Sequence, residues 1–335
     1  MLKLPRRVGL VEVGPRDGLQ SHPRRVPTET KARLVALLAD AGLCDIELTA
    51  FGRADKLPML DDAEALCRLV APRPGLRLRG LAPNARGARR AVDAGVQHVV
   101  ALACASAAYA ERNQNMGPLQ TVRQALEAHA IARAAGRGFS VGISMALWCP
   151  FEGPVAPAAV ESLVDALQAA GVDAICLAGS LGMEDPRQVH ALFQRLAGRW
   201  PALRLGYHVH DVAGFGAANI LAALEGGACW LEGAICGLGG GVSTPTASGN
   251  FPTEDMVHLL QRCGVQCDST PERAAQAARE AAHLLGIPGR GRLARVPEAL
   301  GRDRRDGTHT EHTTVHRADN TGDMPCNDAP CSASA

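Results

Sequence analysis

Residues 8–41 read VGLVEVGPRDGLQSHPRRVPTETKARLVALLADA. The opening run is apolar and β-like, and the middle is polar and punctuated by glycine and proline. Thr30–Ala41 then carries leucine and alanine at helical spacing. A strand, a polar loop and an amphipathic helix make one unit, and the unit recurs. Further β-type runs lie at 44–51, 76–82, 98–105, 140–147, 174–178, 204–210 and 230–236. Helical patterns lie between and after them, at Asp61–Val70, Ala85–Ala94, Leu119–Ala135, Pro157–Ala170, Pro186–Ala197, Phe215–Leu224 and Thr253–Cys263. Strict alternation implies parallel strands joined by right-handed crossovers.

Eight such units predict an α/β fold closed as a (β/α)8 TIM barrel, with a doubly wound open sheet as the structural alternative. The chain has 335 residues, and barrels of roughly 250 residues form one domain. We expect a single barrel over residues 1–300, with an extra C-terminal helix at Pro271–Leu285. Residues 301–335 are rich in Asp, Arg, Thr, Asn and Ser and poor in large apolar side chains, so they read as a disordered polar tail. His309, His312, His316, Cys326 and Cys331 fall there, at spacings too irregular for a metal site.

With 35 basic against 34 acidic residues the net charge is +1, so no broad field favours nucleic acid or an anionic membrane. Aromatic residues at 3% supply no base-stacking platform. No apolar run approaches the roughly 18 residues of a membrane span. The first strand-like run starts within ten residues, so neither a signal nor a transit peptide is expected. The eleven cysteines are scattered, and Cys44, Cys67, Cys104, Cys176 and Cys229 sit in apolar runs. They read as reduced core residues, and the expectation is a cytoplasmic protein acting on a small molecule.

In a parallel barrel, functional residues gather where strands end. The unexpected polar residues fall there. E-V-G-P-R-D-G-L-Q, Glu12 to Gln20, closes the first strand and puts Arg16 and Asp17 at the rim; Glu47 and Thr49 are on the second, Ser144 on the fifth, and H-V-H-D, His208 to Asp211, ends the seventh. G-L-G-G-G-V-S-T-P-T-A-S-G-N, Gly237 to Asn250, follows the eighth. Residues two apart on a strand share a face, so His208 and His210 point into the barrel together. Two imidazoles with the Asp17 carboxylate and the Asn250 amide oxygen suit an open octahedral site for Mg²⁺ or Mn²⁺, or an iron- or cobalt-type ion, better than Zn²⁺, which favours a thiolate.

These motifs resemble the 3-hydroxy-3-methylglutaryl-CoA lyase family of the DRE-TIM metallolyase superfamily, from about residue 8 to about 285. I-E-L-T-A-F at 46–51, A-S-A-A-Y-A-E-R-N-Q-N at 105–115, C-P-F-E-G at 149–153 and A-S-G-N-x-x-T-E-D from 247 support it. The resemblance implies metal ligation by Asp17, His208, His210 and Asn250. It further implies that Arg16 polarises a carbonyl and stabilises an enolate, with Glu47 behind it and Gln20 near the substrate. Thr49, Ser144, Ser180 and Asp211 are expected around the substrate or the ligands. Barrels of this family commonly pair, so a homodimer is one expected assembly.

Two positions depart from the family pattern. G-L-G-G-C, with a catalytic cysteine, becomes G-L-G-G-G, placing Gly241 at the thiol; G-D-T-I-G, with a catalytic aspartate, becomes A-G-S-L-G at 178–182, placing Gly179 at the carboxylate. Candidate proton carriers in their stead are His208, Asp211, Ser180, Ser243 and Cys236. The expected activity is therefore that of an oxo-acid lyase cleaving a carbon–carbon bond in a 3-hydroxyacyl-CoA or hydroxy acid substrate. An aldolase or condensing enzyme on another acyl substrate, and a non-catalytic barrel that binds metal or acyl-CoA, are the alternatives. Arg53, Lys56 and Arg112, with Arg16, are the basic residues near the rims that could meet coenzyme A.

Overall fold

The computed structural model of the protein describes residues 2–240 and 249–296. Eight strands form the inner wall: β1 Gly9–Glu12, β2 Asp45–Ala50, β3 Arg77–Leu81, β4 His98–Cys104, β5 Gly138–Ser144, β6 Ala174–Gly179, β7 Arg204–Val209 and β8 Ala228–Gly233. They close in the order β1-β8-β7-β6-β5-β4-β3-β2, and every neighbouring pair is parallel. The barrel is thus the arrangement adopted, and the open sheet is not.

Ten helices among the described residues surround the strands: α1 Thr28–Asp40, α2 Ala63–Leu69, α3 Ala85–Asp93, α4 Ala107–Gln114, α5 Pro118–Ala134, α6 Pro157–Ala169, α7 Pro186–Arg199, α8 Gly216–Glu225, α9 Thr253–Arg262 and α10 Pro271–Leu285. Each main helix buries one stripe on the barrel. In α7 the stripe is Val189, Leu192, Phe193 and Leu196, and in α6 it is Val160, Leu163, Val164 and Leu167. These follow the i, i+3, i+4, i+7 spacing that puts side chains on one helical face. Removing one such leucine costs about 2–5 kcal/mol.

α10 buries Ala274, Ala277, Ala278 and Ala281 against α1 and α9, so this extra helix is part of the barrel's own coat. α4 was not expected from the sequence. It is short and mostly polar, begins directly after β4, and is started by Ser106, whose hydroxyl accepts the Tyr109 amide at 3.0 Å. No described helix is long and apolar enough to cross a membrane. All nine described cysteines are free thiols. The polar tail lies outside the described residues.

Candidate metal centre

The loop after β1 is built on one carbonyl. Val13 O accepts the amides of Arg16, Asp17 and Gly18 at 3.1, 2.8 and 3.2 Å, winding Gly14–Gly18 into a single wide turn. The turn is why the first strand stops at Glu12, short of the apolar run that announces it. It also carries Arg16 and Asp17 over the barrel mouth. Arg16 is 8% exposed; its Nε donates to Glu47 Oε1 on β2 at 2.6 Å and its Nη1 to Asp17 Oδ1 at 2.7 Å. A planar guanidinium gripped on two edges by carboxylates has its orientation fixed.

β7 ends at Val209, so His208 is its penultimate residue and His210 lies just beyond, bridged to Asn250. The two Nε2 atoms are 3.1 Å apart, and His210 Nε2 is 3.9 Å from Asp17 Oδ2. One ligand atom from each of Asp17, His208 and His210 lies within 4.8 Å of the others. Donor atoms this close together are near enough to be shared by one hard divalent ion.

Asn250 is joined to this cluster by a hydrogen bond. Its Nδ2 donates to Asp17 Oδ2 at 2.7 Å and to Leu238 O at 3.0 Å, while its buried Oδ1 has no hydrogen-bond partner among the described residues. A buried carbonyl oxygen without a donor costs of the order of 1–3 kcal/mol, and a cation ligated there would remove that cost. Gly239 keeps the space clear: at φ +107°, a Cβ on it would come within 2.6 Å of Asn250 Nδ2. The donor set present therefore fits a hard divalent ion.

Behind the histidines stands Glu232, which the sequence reading did not pick out. Its Oε2 accepts His208 Nδ1–H at 3.1 Å and its Oε1 accepts Trp230 Nε1–H at 3.1 Å. The signal was a lone glutamate inside the apolar W-L-E-G of β8. With Nδ1 as donor, Nε2 of His208 holds its lone pair toward the cluster, as a metal ligand requires.

The charges reinforce one another. Burial resists ionisation of Asp17, but Arg16 and the two imidazoles hold its carboxyl well below the usual aspartate range. Burial likewise opposes the charge of Glu232, yet the bond from His208 and the fields of His208 and Arg79 bring it down to about 2. Burial, with the charges of Glu232 and Asp17 adding to it, raises Glu47 above its ordinary value despite Arg16.

The remaining expected residues divide. Thr49 is buried on β2 with Oγ1 unbonded among the described residues, and Gln20 is half-buried just past the turn. Ser144 Oγ donates to Ala103 O at 3.1 Å, and Ser180 Oγ accepts the Met145 amide at 2.9 Å. Asp211 is a helix-start acceptor, taking the Gly216 amide at 2.8 Å. Cys236 is turned away from the mouth, its thiol donating to Ala278 O on α10 at 3.0 Å. Three of the candidate proton carriers are thus engaged in holding loops. Gly241 and Ser243 lie outside the described residues. Of the basic residues at the rims, Arg53 pairs with Asp55, Lys56 is exposed, and Arg112 lies 4.3 Å above the Phe151 ring.

Comparison with known proteins settles the kinship. The model of the HMGL-like family matches residues 7–280. The chain belongs to this family. Among curated relatives, the mitochondrial hydroxymethylglutaryl-CoA lyase of Bos taurus is 33% identical over 273 residues, 82% of this chain and 84% of the relative. Hydroxymethylglutaryl-CoA lyase YngG of Bacillus subtilis is 31% identical over 284 residues, 85% of this chain and 95% of the relative. Among solved structures, an HMG-CoA lyase from Acinetobacter baumannii in complex with coenzyme A and 3-methylmalate superposes with a TM-score of 0.83 at 31% identity, covering 92% of this chain and all of that one. Hydroxymethylglutaryl-CoA lyase from Pseudomonas aeruginosa gives 0.82 at 32% identity, over 89% and 98% of the two chains. The HMGL-like chain described here thus shares both sequence and barrel with lyases.

Proposed function

We propose that this HMGL-like protein is a divalent-metal-dependent carbon–carbon lyase that opens a 3-hydroxyacyl-CoA or closely related hydroxy acid by retro-aldol or retro-Claisen cleavage. The observation that carries the reading is the convergence of Asp17, His208 and His210 on one point, with Asn250 bonded to Asp17 through Nδ2 and its Oδ1 without a partner among the described residues. Those four residues would hold Mg²⁺ or Mn²⁺, which when bound supplies Lewis-acid polarisation of a hydroxyl and a carbonyl.

Arg16 does the work the chain itself contributes at the bond that breaks. Two of its nitrogens are taken by Glu47 and Asp17, leaving Nη2 as the donor for the oxygen on which negative charge develops. A fixed cation aimed at a developing enolate oxygen stabilises the transition state more than the ground state. Asp17 serves twice, as ligand and as the partner that holds Arg16. Glu232 keeps the His208 ring in the ligating tautomer, so a proton-carrying role for His208 would require its Nε2 to be free of the ion.

For the acyl-CoA side, a cavity of about 350 Å³ beyond β2 and β3 is lined by Arg53, Arg86 and Arg90 together with Asn84, Asp55 and Asp61. Arg53 is paired there with Asp55 and Arg90 with Glu64, and these guanidinium groups with Arg86 are the donors that would meet a phosphate-bearing cofactor. The coenzyme A and 3-methylmalate held by the Acinetobacter baumannii relative support a substrate of this class.

The test is incubation of manganese-loaded protein with 3-hydroxy-3-methylglutaryl-CoA and related branched hydroxyacyl-CoAs, following acyl-CoA products by mass spectrometry. The reading predicts metal-dependent release of a shorter acyl-CoA from at least one thioester. Full metal occupancy with every thioester left intact would point to the non-catalytic barrel.

A further inference from the structure

Gly179 ends β6, at the position where the resemblance to the family implies an aspartate, and its surroundings show what fills the space a side chain there would need. A Cβ built on Gly179 would overlap Glu184 Oε1 and would come within 2.9 Å of both the Glu184 carboxyl carbon and the Tyr207 hydroxyl. The space a side chain at 179 would enter is already filled by the carboxyl group of Glu184, five residues downstream.

Glu184 is fully buried. Tyr207 Oη donates to its Oε1 at 2.7 Å, and its backbone carbonyl accepts Asn219 Nδ2 from α8 at 3.0 Å. Its Oε2 is buried without a partner among the described residues. The next residue, Asp185, caps α7 through the amides of Arg187 and Gln188 at 2.8 and 3.0 Å, so the loop's exit is pinned. Its entry is pinned too, because the Gly182 amide donates to Gly179 O and the Ala213 amide donates to Gly182 O, each at 3.0 Å.

Tyr207 lies on β7 between Gly206 and His208, on the face opposite the histidines by strand alternation, with Phe193 set edge-on at 5.7 Å. The carboxyl group of Glu184 thus grips Tyr207 on the far side of the strand that presents His208 and His210. We propose that positions 179 and 184 are a coupled pair: the absence of a side chain at Gly179 admits the carboxyl group of Glu184 from the loop, and through Tyr207 that group positions the two histidines. Glu184 is a positioning residue, and this role rests on the metal-dependent reading of the site.

The pair is tested with Glu184→Ala, Glu184→Gln, Gly179→Asp and the double variant Gly179→Asp/Glu184→Ala, measuring Mn²⁺ affinity by calorimetry and thermal midpoints in chelator. Residues behind metal ligands typically change affinity by about 10–100-fold. Glu184→Ala should weaken Mn²⁺ binding roughly tenfold, and Gly179→Asp should do so at least as strongly, since its carboxyl meets that of Glu184. Glu184→Gln, which keeps an acceptor for Tyr207, should stay within about threefold. The double variant should bind Mn²⁺ at least about fivefold more tightly than either single change, a coupling of the size expected for residues in contact.

Wild-type affinity in folded Glu184→Ala, or a double variant as weak as the two losses combined, would overturn the pairing. If the single variants do not fold, a folded double variant supports it and an unfolded one contradicts it. Both readouts are independent of the substrate: failure of the wild type to cleave any thioester would sink the lyase reading and leave the affinity pattern to decide the pair.

Discussion

Glu232 Oε2 accepts the Nδ1–H of His208 at 3.1 Å, from the adjacent strand and from behind the ring. The contact fixes the tautomer and the tilt of the imidazole. Glu232→Ala is therefore expected to weaken Mn²⁺ binding by about 10–100-fold, while Glu232→Gln, which can still accept through its carbonyl, should lose less. Calorimetric titration of the two variants checks the order; equal losses would mean that charge matters and orientation does not.

Arg16 is held at two edges, by Glu47 and by Asp17. Lysine keeps the charge and loses the planar fork. Arg16→Lys is expected to lower kcat by about 10²-fold or more, with substrate KM little changed, because the lost interaction belongs to the transition state. Steady-state kinetics on whichever thioester the wild type cleaves makes the comparison. A change confined to KM would assign Arg16 to ground-state binding.

Two buried carboxyl groups under the rim make stability fall as pH rises. Burial pushes Glu254 up to about 8 and Glu12 up to about 7. Each is protonated in the folded chain where its unfolded counterpart, near 4.5, is ionised. Unfolding then releases protons, so the stabilisation is complete below about pH 4.5 and drains away between there and about pH 8. The metal-free thermal midpoint should fall by several degrees between pH 6 and pH 8.5. Glu254→Gln, which leaves an acceptor for the Cys236 amide now bound at 3.0 Å, should flatten part of that slope. A midpoint that climbs with pH would reverse the assignment.

α7 begins with a reciprocal cap: Asp185 accepts two helix amides and Gln188 Oε1 accepts the Asp185 amide at 3.1 Å. Asp185→Ala should cost about 1 kcal/mol, lowering the thermal midpoint by a few degrees. Because the same turn carries Glu184, Mn²⁺ affinity is expected to fall alongside it; denaturant melts and titrations on one preparation would show whether the two effects travel together.

The barrel was legible because its signal is periodic. A β-type run, a polar turn and a stripe such as Val189, Leu192, Phe193 and Leu196 recur eight times, and a parallel sheet leaves such a chain few ways to close. The convergence of Asp17, His208, His210 and Asn250 was legible for a related reason: rim position follows from strand ends, and the H-x-H spacing fixes a common face. What escaped the sequence reading depends on contacts across the fold. Glu232 matters only because β8 lies beside β7, and Glu184 only because Gly179 leaves a hole that a loop residue fills. Asp211 and Cys236 have reactive groups near strand ends, but the chain turns one to cap α8 and the other toward α10. α4 was missed because a polar helix of eight residues has too little apolar stripe to read.

The central claim is a metal site made by Asp17, His208, His210 and Asn250, and calorimetric titration of Mn²⁺ into metal-free wild type and His210→Ala tests it most directly. The account predicts one ion per wild-type chain and binding lost by at least about 10²-fold in the variant, with the fold retained by circular dichroism. Equal binding by both proteins would contradict it.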